Sequence, residues 1–420
     1  MKKTAIAIMC LFVVTSCATK SSSPSEDKAL TQLKQEIVQD LTENILPFWA
    51  KYSPDPSGGF YGVLNFDGTP RADAPKGGIL NARLVWTFSA AYRLLKDEQY
   101  LTLANRAQRY FIDNFIDPEY GGSFYMLSAD GEPLDMKKVT YQNAYSIYCL
   151  SEHYRATGNQ ESLDAAIAIY NKLVEYAYDP VNGGFIELFS RDWQMNDDYP
   201  NKGEEYPKTM NANLHVLEAL TNLYRAWNDE GLKRHLKEEI EVMTQKVLNR
   251  ETWHQRLFFT MDWQSQKDVD SYGHDIEFAW LLVEAAEALG DEEILEDARH
   301  IAVNMVAVQL EEGINENGVM IYEKSGDHAN TNVEWWPQTE TLIGCLSAWQ
   351  ISGDKKFFDA AVRTWNWINT YMIDREYGEW YSNVYADGTP QKDRVKANQW
   401  RCPYHNSRVG FEVIMRFCSE

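Results

Sequence analysis

Cysteine is scarce in this sequence, and its few copies are widely spaced. Six cysteines occur among 420 residues, at Cys10, Cys17, Cys149, Cys345, Cys402 and Cys418. None of them forms a Cys-x-x-Cys pair, the spacing typical of zinc sites and redox motifs. The sequence therefore predicts neither a metal site nor a dense disulfide framework.

Positive charge is also in short supply. Lysine and arginine number 40 against 62 acidic residues, which gives a net charge of −22. Proteins that bind nucleic acid normally present a basic face to the phosphate backbone. The composition therefore argues against nucleic acid as a partner.

Long apolar runs are confined to the first residues of the chain. "MKKTAIAIMCLFVVTSC" has a basic start and an apolar run too short for a stable membrane helix, which is typical of a secretory signal over residues 1–16. "VTSC" resembles a bacterial lipobox and predicts cleavage before Cys17 and its lipidation, the alternative being an ordinary signal peptide with an incidental cysteine. The polar residues 17–30 predict a flexible tether. We therefore expect an exported lipoprotein, facing the periplasm or anchored on the outer-membrane surface, whose residues 31–420 form a single catalytic domain.

Aromatic residues, by contrast, are abundant. The chain holds 14 tryptophans, 24 tyrosines and 17 phenylalanines. A large core would explain them, but flat rings also stack on the C–H faces of sugars. A carbohydrate ligand is therefore one hypothesis that the composition raises.

A repeated pattern predicts the fold. "DPSGGFYGVLNFDGTP" at Asp55 recurs about every sixty residues, and its copies begin at Asp55, Asp117, Asp179, Glu251, Asn315 and Asp374. The stronger copies have a Gly-Gly entry, an Asp-Gly turn or both, the copies at Glu251 and Asn315 are weaker, and each is interpreted as a short hairpin. Each interval has apolar residues three and four apart, with room for two helices. Such helix pairs must pack side by side to bury their apolar faces. We predict an all-α (α/α)6 barrel of about twelve helices with short β-hairpins between helix pairs, and an open solenoid is the alternative.

Polar residues interrupt the apolar faces of four predicted helices. Each has a structural alternative: a surface arginine, a hydrogen-bonded core histidine or buried aromatic packing. Histidine beside a carboxylate is nevertheless typical of proton transfer near neutral pH. The candidate functional residues, with two more from "WRCPYHNSR" near the end of the chain, are Arg83, Asn211, His215, His274, Glu277, Trp336, Glu340, Trp400 and His405.

These segments resemble a known family, the N-acylglucosamine 2-epimerase superfamily, and within it the cellobiose 2-epimerases (mannobiose 2-epimerases). The motifs that carry the resemblance are "NARLVWTFSAAYR", "MNANLHVLEALTNLYR", "GHDIEFAWLL", "WWPQTETLIG" and "CPYHNSR". The resemblance implies an (α/α)6 barrel that inverts C2 of the reducing-end sugar of a β-1,4-linked disaccharide without a cofactor. Substrates would be cellobiose, which becomes glucosyl-mannose, and mannobiose, which becomes mannosyl-glucose.

The resemblance also implies a role for each candidate residue. His405 would work on the C2 proton, with His274 as its partner acid or base and His215 as a third active-site histidine. The polar groups around the reacting sugar would be Arg83, Asn211, Glu277 and Glu340. Trp336 and Trp400 would be platforms for the sugar rings.

Other functions remain open at this point. A glycoside hydrolase could use Glu277 and Glu340, an aldose–ketose isomerase would share the enediolate intermediate, and an N-acylglucosamine 2-epimerase would share the fold. A surface lipoprotein that only captures glycans would fit the anchor and the tryptophans, but would not need the histidines. We expect a monomer whose only membrane contact is the lipid at Cys17.

Overall fold

Twelve helices run through the part of the chain that the computed structural model describes, residues 24–195 and 206–418. Five outer helices end in, or contain, a π-helical turn. The helices are α1 (Pro24–Asp40, continued by Leu41–Ile45 and Leu46–Tyr52), α2 (Gly78–Leu95), α3 (Glu98–Tyr110 and Phe111–Phe115), α4 (Thr140–Thr157), α5 (Gln160–Lys172 and Leu173–Ala177), α6 (Met210–Ala226), α7 (Glu230–Val242 and Met243–Val247), α8 (Tyr272–Leu289), α9 (Glu292–Glu312), α10 (Trp335–Ser352), α11 (Lys355–Trp367 and Ile368–Met372) and α12 (Tyr404–Phe417).

The even-numbered helices form a closed inner ring. Each of α2, α4, α6, α8, α10 and α12 contacts the next, and α12 contacts α2. Each is buried around almost its whole circumference, as expected of a helix packed on all sides. The odd-numbered helices pack outside, and α1 pairs with α12 at the other end of the chain. Because α12 contacts α2, the predicted (α/α)6 barrel is confirmed and the open solenoid is excluded.

Short turns join each inner helix to the next outer one. Four of these turns consist of a residue in the left-handed conformation followed by an Asp or Asn that caps the next helix, and they are Lys96-Asp97, Gly158-Asn159, Gly290-Asp291 and Gly353-Asp354. The first residue ends one helix, and the side chain of the second accepts a backbone N–H of the next. Because these turns are short, the long connections all lie at the opposite mouth, where the inner helices begin.

Short strands fill those long connections. They are β1 (Lys76–Gly77), β2 (Met126–Leu127), β3 (Pro133–Asp135), β4 (Lys138–Val139), β5 (Leu188–Phe189), β6 (Lys208–Thr209), β7 (Leu248–Asn249), β8 (His254–Gln255), β9 (Phe258–Phe259), β10 (Glu323–Ser325), β11 (His328–Asn330), β12 (Val333–Glu334) and β13 (Asn383–Val384). The residues just before each inner helix pair with the hairpin of the next copy, as in β1–β2, β4–β5, β6–β9 and β12–β13. Single bridges complete the circle at Asp270–Lys324 and at Leu64–Ala397, which joins the first copy to the last.

This pairing differs from the self-contained hairpins that the sequence predicts. Within most copies the two hairpin arms meet at a single bridge, such as Leu64–Pro70 and Val384–Pro390. Two-residue ladders also run between copies, because the next repeat lies beside each strand in the closed ring, whereas β10 and β11 pair over three residues within the fifth copy. The hairpins therefore tie neighbouring repeats together.

Two tryptophans replace glycine at the hairpin turns of the third and fourth copies. Trp193 and Trp263 have φ angles of 62° and 66°, a conformation that glycine adopts without strain. Their indoles lie on the Gly-Gly pair of the preceding copy, where a Cβ added at Gly122 would approach Trp193 to 2.6 Å and one at Gly184 would approach Trp263 to 2.4 Å. The double glycine is thus needed where the next copy packs closely.

A buried lysine–aspartate pair stabilises each of the four strong copies. The first aspartate of the copy bonds a lysine just before an inner helix, at N–O distances of 2.7 to 2.9 Å. The pairs are Asp55–Lys76, Asp117–Lys138, Asp179–Lys208 and Asp374–Lys396. The fourth copy lacks the aspartate, and there His254 pairs with Asp275 of α8 at 2.7 Å.

The predicted leader falls largely outside the described residues. Residues 1–16 and Cys17 lie there, whereas α1 begins at Pro24. The predicted tether over residues 17–30 is therefore not a flexible segment throughout: from residue 24 onward it forms the first two turns of the outer helix α1. Among the described helices, none combines the length and the apolar composition needed to cross a bilayer.

Replacing Lys208 with methionine should lower the free energy of unfolding by about 3–5 kcal/mol, because it leaves the buried Asp179 carboxylate without its cation. Urea-induced unfolding measures the difference. Lys355→Met, which breaks an exposed pair with Asp359, is the matched control and should have little effect. Equal midpoints for the two variants would contradict a stabilising role for the buried pair.

Candidate active site

The mouth where the inner helices begin holds a cavity of about 480 Å³, a size typical of small-molecule sites. Eight of the nine residues predicted from the sequence line it: Arg83, Asn211, His215, His274, Glu277, Trp336, Trp400 and His405. The ninth, Glu340, is fully buried behind His405. The structure thus brings together residues that are spread over more than three hundred positions of the sequence.

The register of the inner helices explains this convergence. The sixth residue of five successive inner helices is a large polar side chain, namely Arg83, Tyr145, His215, Glu277 and Glu340. Equivalent positions of parallel helices in a closed ring lie at the same height and face the same axis. These side chains therefore form one layer, which includes the cavity floor.

His405 is held by a buried carboxylate. Its Nδ1 lies 2.7 Å from Oε1 of Glu340. The Glu340 oxygens also accept hydrogen bonds from the Trp280 indole and the Arg408 guanidinium, both of which can only donate. The shared proton therefore sits on Nδ1 of His405, and Nε2 is the basic nitrogen.

His215 has the same arrangement on α6. Its Nδ1 lies 3.0 Å from Oε2 of Glu218 and 3.1 Å from the Tyr145 hydroxyl. The other Glu218 oxygen accepts from Arg408 and Tyr404, so Oε2 is left to accept the Nδ1 proton. His215 thus also presents a basic Nε2.

His274 has a different partner. Its Nδ1 lies 2.6 Å from the hydroxyl of Ser271, which can donate or accept. The Trp336 ring contacts both this imidazole and that of His405, at centroid distances of 4.7 and 5.6 Å. A neutral partner leaves either tautomer open to His274, as an acid or base that changes state requires.

Burial keeps all three imidazoles neutral. It lowers the pKa of His215 to about 3, lowers the pKa of His405 well below its ordinary value, and lowers the pKa of His274. Burial acts in the opposite direction on Glu218 and Glu340, whose pKa values it raises while Arg408 opposes the rise. The result is a set of neutral imidazoles beside negative charge.

Arg83 supplies a fixed positive charge at the cavity wall. Its Nη2 donates to the hydroxyls of Tyr141 and Tyr145 at 2.8 and 2.7 Å, and its Nη1 to the Trp400 carbonyl. Among the described residues its Nε has no hydrogen-bond partner, and neither has Oδ1 of Asn211. Buried polar atoms are rarely left unpaired, so both are available to a polar ligand.

The two predicted tryptophans differ in accessibility. Trp336 is 8% exposed and lies against both imidazoles, whereas Trp400 is 49% exposed at the rim, with its ring centroid 5.7 Å from that of Tyr141. Trp400 is therefore the more open stacking surface.

Sequence reasoning missed several residues of the site. Tyr145 occupies the same sixth position as His215 and could have been found by aligning the helix starts. Arg408 ends the "CPYHNSR" motif, and Trp280 lies within "GHDIEFAWLL", but neither stands out before its partners are known. Glu218 follows His215 by three residues on the same face of α6, and this spacing could have revealed it.

A second, larger cavity of about 800 Å³ opens at the opposite mouth. Several of its charged residues pair with one another: Glu152 binds Arg93 and Arg155, and Glu284 binds Arg225 and Arg416. The three candidate histidines lie at the other end of the barrel. The larger cavity is thus the less suitable for proton transfer, because Glu152 and Glu284 each bind two arginines.

Neutral imidazoles that each hold one proton and offer one basic nitrogen are the groups that acid–base catalysis requires. Together with the closed double ring of helices, they define the protein as an (α/α)6-barrel enzyme. The sequence profile of the N-acylglucosamine 2-epimerase (GlcNAc 2-epimerase) family matches residues 59–407. The chain belongs to this family and is a carbohydrate epimerase, an isomerase.

Relatives agree with this assignment. Cellobiose 2-epimerase of Bacteroides fragilis is 43% identical over 389 residues, 91% of this chain and 98% of the relative. Cellobiose 2-epimerase of Ruminococcus albus is 38% identical over 384 residues, with coverages of 91% and 98%. The solved structure of cellobiose 2-epimerase from Bacillus thermoamylovorans superposes with a TM-score of 0.89 at 38% identity, over 92% of this chain and all of that one. The resemblance predicted from the motifs is confirmed.

His215 should remain neutral at about pH 5, where a free imidazole is mostly protonated, because burial lowers its pKa to about 3. Long-range ¹H–¹⁵N NMR should show the Nδ1–H tautomer. His254 is the internal contrast: burial lowers its pKa, but the hydrogen bond and charge of Asp275 outweigh that effect and raise it to about 8. A protonated His215 at pH 5 would contradict this electrostatic picture.

The low pKa of His215 also affects stability. Between pH 6.5 and 3 the unfolded chain binds a proton at this histidine and the folded chain does not, so His215 should make the fold less stable as the pH falls through this range.

Proposed function

We propose that the protein is a cofactor-independent 2-epimerase acting on the reducing-end sugar of β-1,4-linked disaccharides, with cellobiose and mannobiose as substrates. The observation that carries the proposal is the convergence of three neutral histidines on one cavity, two of them backed by carboxylates. The names of the relatives support cellobiose as the substrate class.

Ring opening comes first, because only the free aldehyde acidifies the C2 hydrogen. Nε2 of His405 then takes the C2 proton, and the electron pair moves to the carbonyl to form a cis-enediolate. Arg83, through its unpaired Nε–H, donates to the developing oxyanion, as preorganised donors do in other enzymes.

His274 completes the exchange. Rotation about C2–C3 presents the opposite face of the enediolate, a histidine returns a proton to C2, and the ring closes. His274 and His405 both line the cavity, which supports a mechanism in which the two alternate as acid and base. His215 and Asn211 form hydrogen bonds with the oxygen atoms of the reacting sugar. Trp400 stacks on a sugar ring at the rim of the cavity.

A glycoside hydrolase fits this geometry poorly. Glu277 and Glu340 both bind the same nitrogen of Arg408, at 2.6 and 2.7 Å, and Glu340 has no exposed surface. A hydrolase needs two carboxyl groups that flank the scissile bond. An aldose–ketose isomerase shares the proposed intermediate and differs only in the carbon that receives the proton.

NMR in deuterated water with cellobiose, and separately with mannobiose, should show deuterium at C2 together with the new C2 epimer. His405→Asn should lower kcat by roughly 10²–10⁴-fold because the base is lost. His300→Asn, at an exposed histidine of α9, is the control and should leave kcat unchanged. A ketose product would favour the isomerase, released monosaccharides the hydrolase, and unchanged sugars with shifted resonances a glycan-capturing protein.

We also propose that the protein is an exported lipoprotein anchored through Cys17. The lipobox-like "VTSC" supports this. In a bacterial host, the full-length chain should incorporate labelled palmitate and sediment with membranes, whereas Cys17→Ser should do neither. Cys10→Ser, within the apolar run, is the matched control and should keep the label, and a membrane-bound, labelled Cys17→Ser protein would contradict the anchor.

A further inference from the structure

Arg408 lies at the centre of the buried polar layer without lining the cavity. Its Nη1 donates to Glu218 at 2.6 Å, and its Nη2 to Glu277 and Glu340 at 2.6 and 2.7 Å. The guanidinium also stacks on the rings of Trp280 and Tyr404, 4.7 and 4.4 Å from their centroids. One cation thus binds carboxylates from three different helices.

Each of these carboxylates faces a histidine. Glu218 binds Nδ1 of His215, and Glu340 binds Nδ1 of His405. Glu277 lies 4.0 Å from Nδ1 of His405 and one helical turn after His274. A substitution of Arg408 would therefore alter the carboxylates near all three imidazoles, although Arg408 itself does not line the cavity.

Three carboxylates around one cation cannot all stay ionised without it. Burial already favours the protonated forms of Glu218 and Glu340, and like charges this close reinforce that preference. A protonated Glu340 could donate to Nδ1 of His405, and the imidazole would then lose its basic Nε2. The guanidinium prevents this because it can only donate.

We propose that Arg408 is a positioning residue that keeps the carboxylates ionised and thereby holds His215 and His405 in the Nδ1–H tautomer, an inference that rests on the proposed 2-epimerase function. Arginine suits this task because its planar fork satisfies several oxygens at once. A lysine has the same charge but no such fork.

Other charged or titratable groups also face this network. Besides the three carboxylates and three histidines, they are Arg83 of α2, Tyr145 and Tyr148 of α4, Tyr404 and Glu412 of α12, and Glu284 of α8. Glu284 and Glu412 have a cation of their own in Arg416. Arg408 is therefore the only described cation with hydrogen bonds to Glu218, Glu277 and Glu340.

The test is the pH profile of cellobiose epimerisation by Arg408→Lys. We expect kcat to fall roughly 10–100-fold with little change in KM, as is typical when a supporting group behind a catalytic residue is altered. The acidic limb of kcat/KM should move up by about one pH unit, since a carboxylate with weaker pairing has a higher pKa and needs a higher pH to ionise. Arg416→Lys, two turns along the same helix and bound to two other carboxylates, should leave the profile unchanged.

Glu218→Gln provides a second variant if Arg408→Lys does not fold. It removes one of the three negative charges, so the remaining two carboxylates ionise more readily and the acidic limb should move down. An unshifted limb in the folded variants, even with a lower rate at every pH, would overturn the inference, because loosened packing alone produces that result. Wild-type protein that places no deuterium at C2 would instead overturn the proposed function.

Discussion

The common direction of the six inner helices is the constraint on which the rest of the structure depends. Two- or three-residue turns join each inner helix to the next outer one, whereas every return to the ring runs through a long hairpin connection. All six N-termini therefore meet at one mouth, with the hairpins around it. Helix N-termini carry partial positive charge, and an enediolate formed there would gain from six of them. The same topology that closes the barrel thus selects the end at which anionic chemistry is favourable.

The opposite mouth collects six C-termini and has the complementary composition. Arg93, Arg155, Arg225 and Arg416 lie in the last turns of four inner helices, where cations are stabilised. They also bind Glu152, Glu284 and Glu412, so the larger cavity is surrounded by satisfied ion pairs. At the histidine end, by contrast, Nε of Arg83 and Oδ1 of Asn211 are left for a ligand. The three neutral histidines beside those atoms, more than volume, distinguish the site from the second cavity.

How far the sequence predicts the structure depends on how local the determinants are. The sixty-residue repeat predicts the barrel, since each copy is followed by segments with helical periodicity. The strand partners were not predictable, because two-residue strands such as β4 and β5 pair across copies about fifty residues apart. Eight residues that line the cavity were predicted because their motifs place them in the first two turns of an inner helix or just before it. Arg408 was missed because its partners lie 68 to 190 residues away on three other helices.

Buried charge connects the fold to the proposed chemistry. Two of the lysine–aspartate pairs fix hairpins near the starts of α6 and α12, and those helices carry His215 and His405 in their first six residues. These two histidines are neutral because the site is buried, and they are basic because carboxylates hold their Nδ1 protons. Those carboxylates in turn depend on Arg408 for their charge. Ionised carboxylates are costly to bury without a cation. A buried histidine whose Nδ1 proton is held by a carboxylate therefore needs a cation beside that carboxylate. The last inner helix, α12, supplies both the base, His405, and the cation, Arg408.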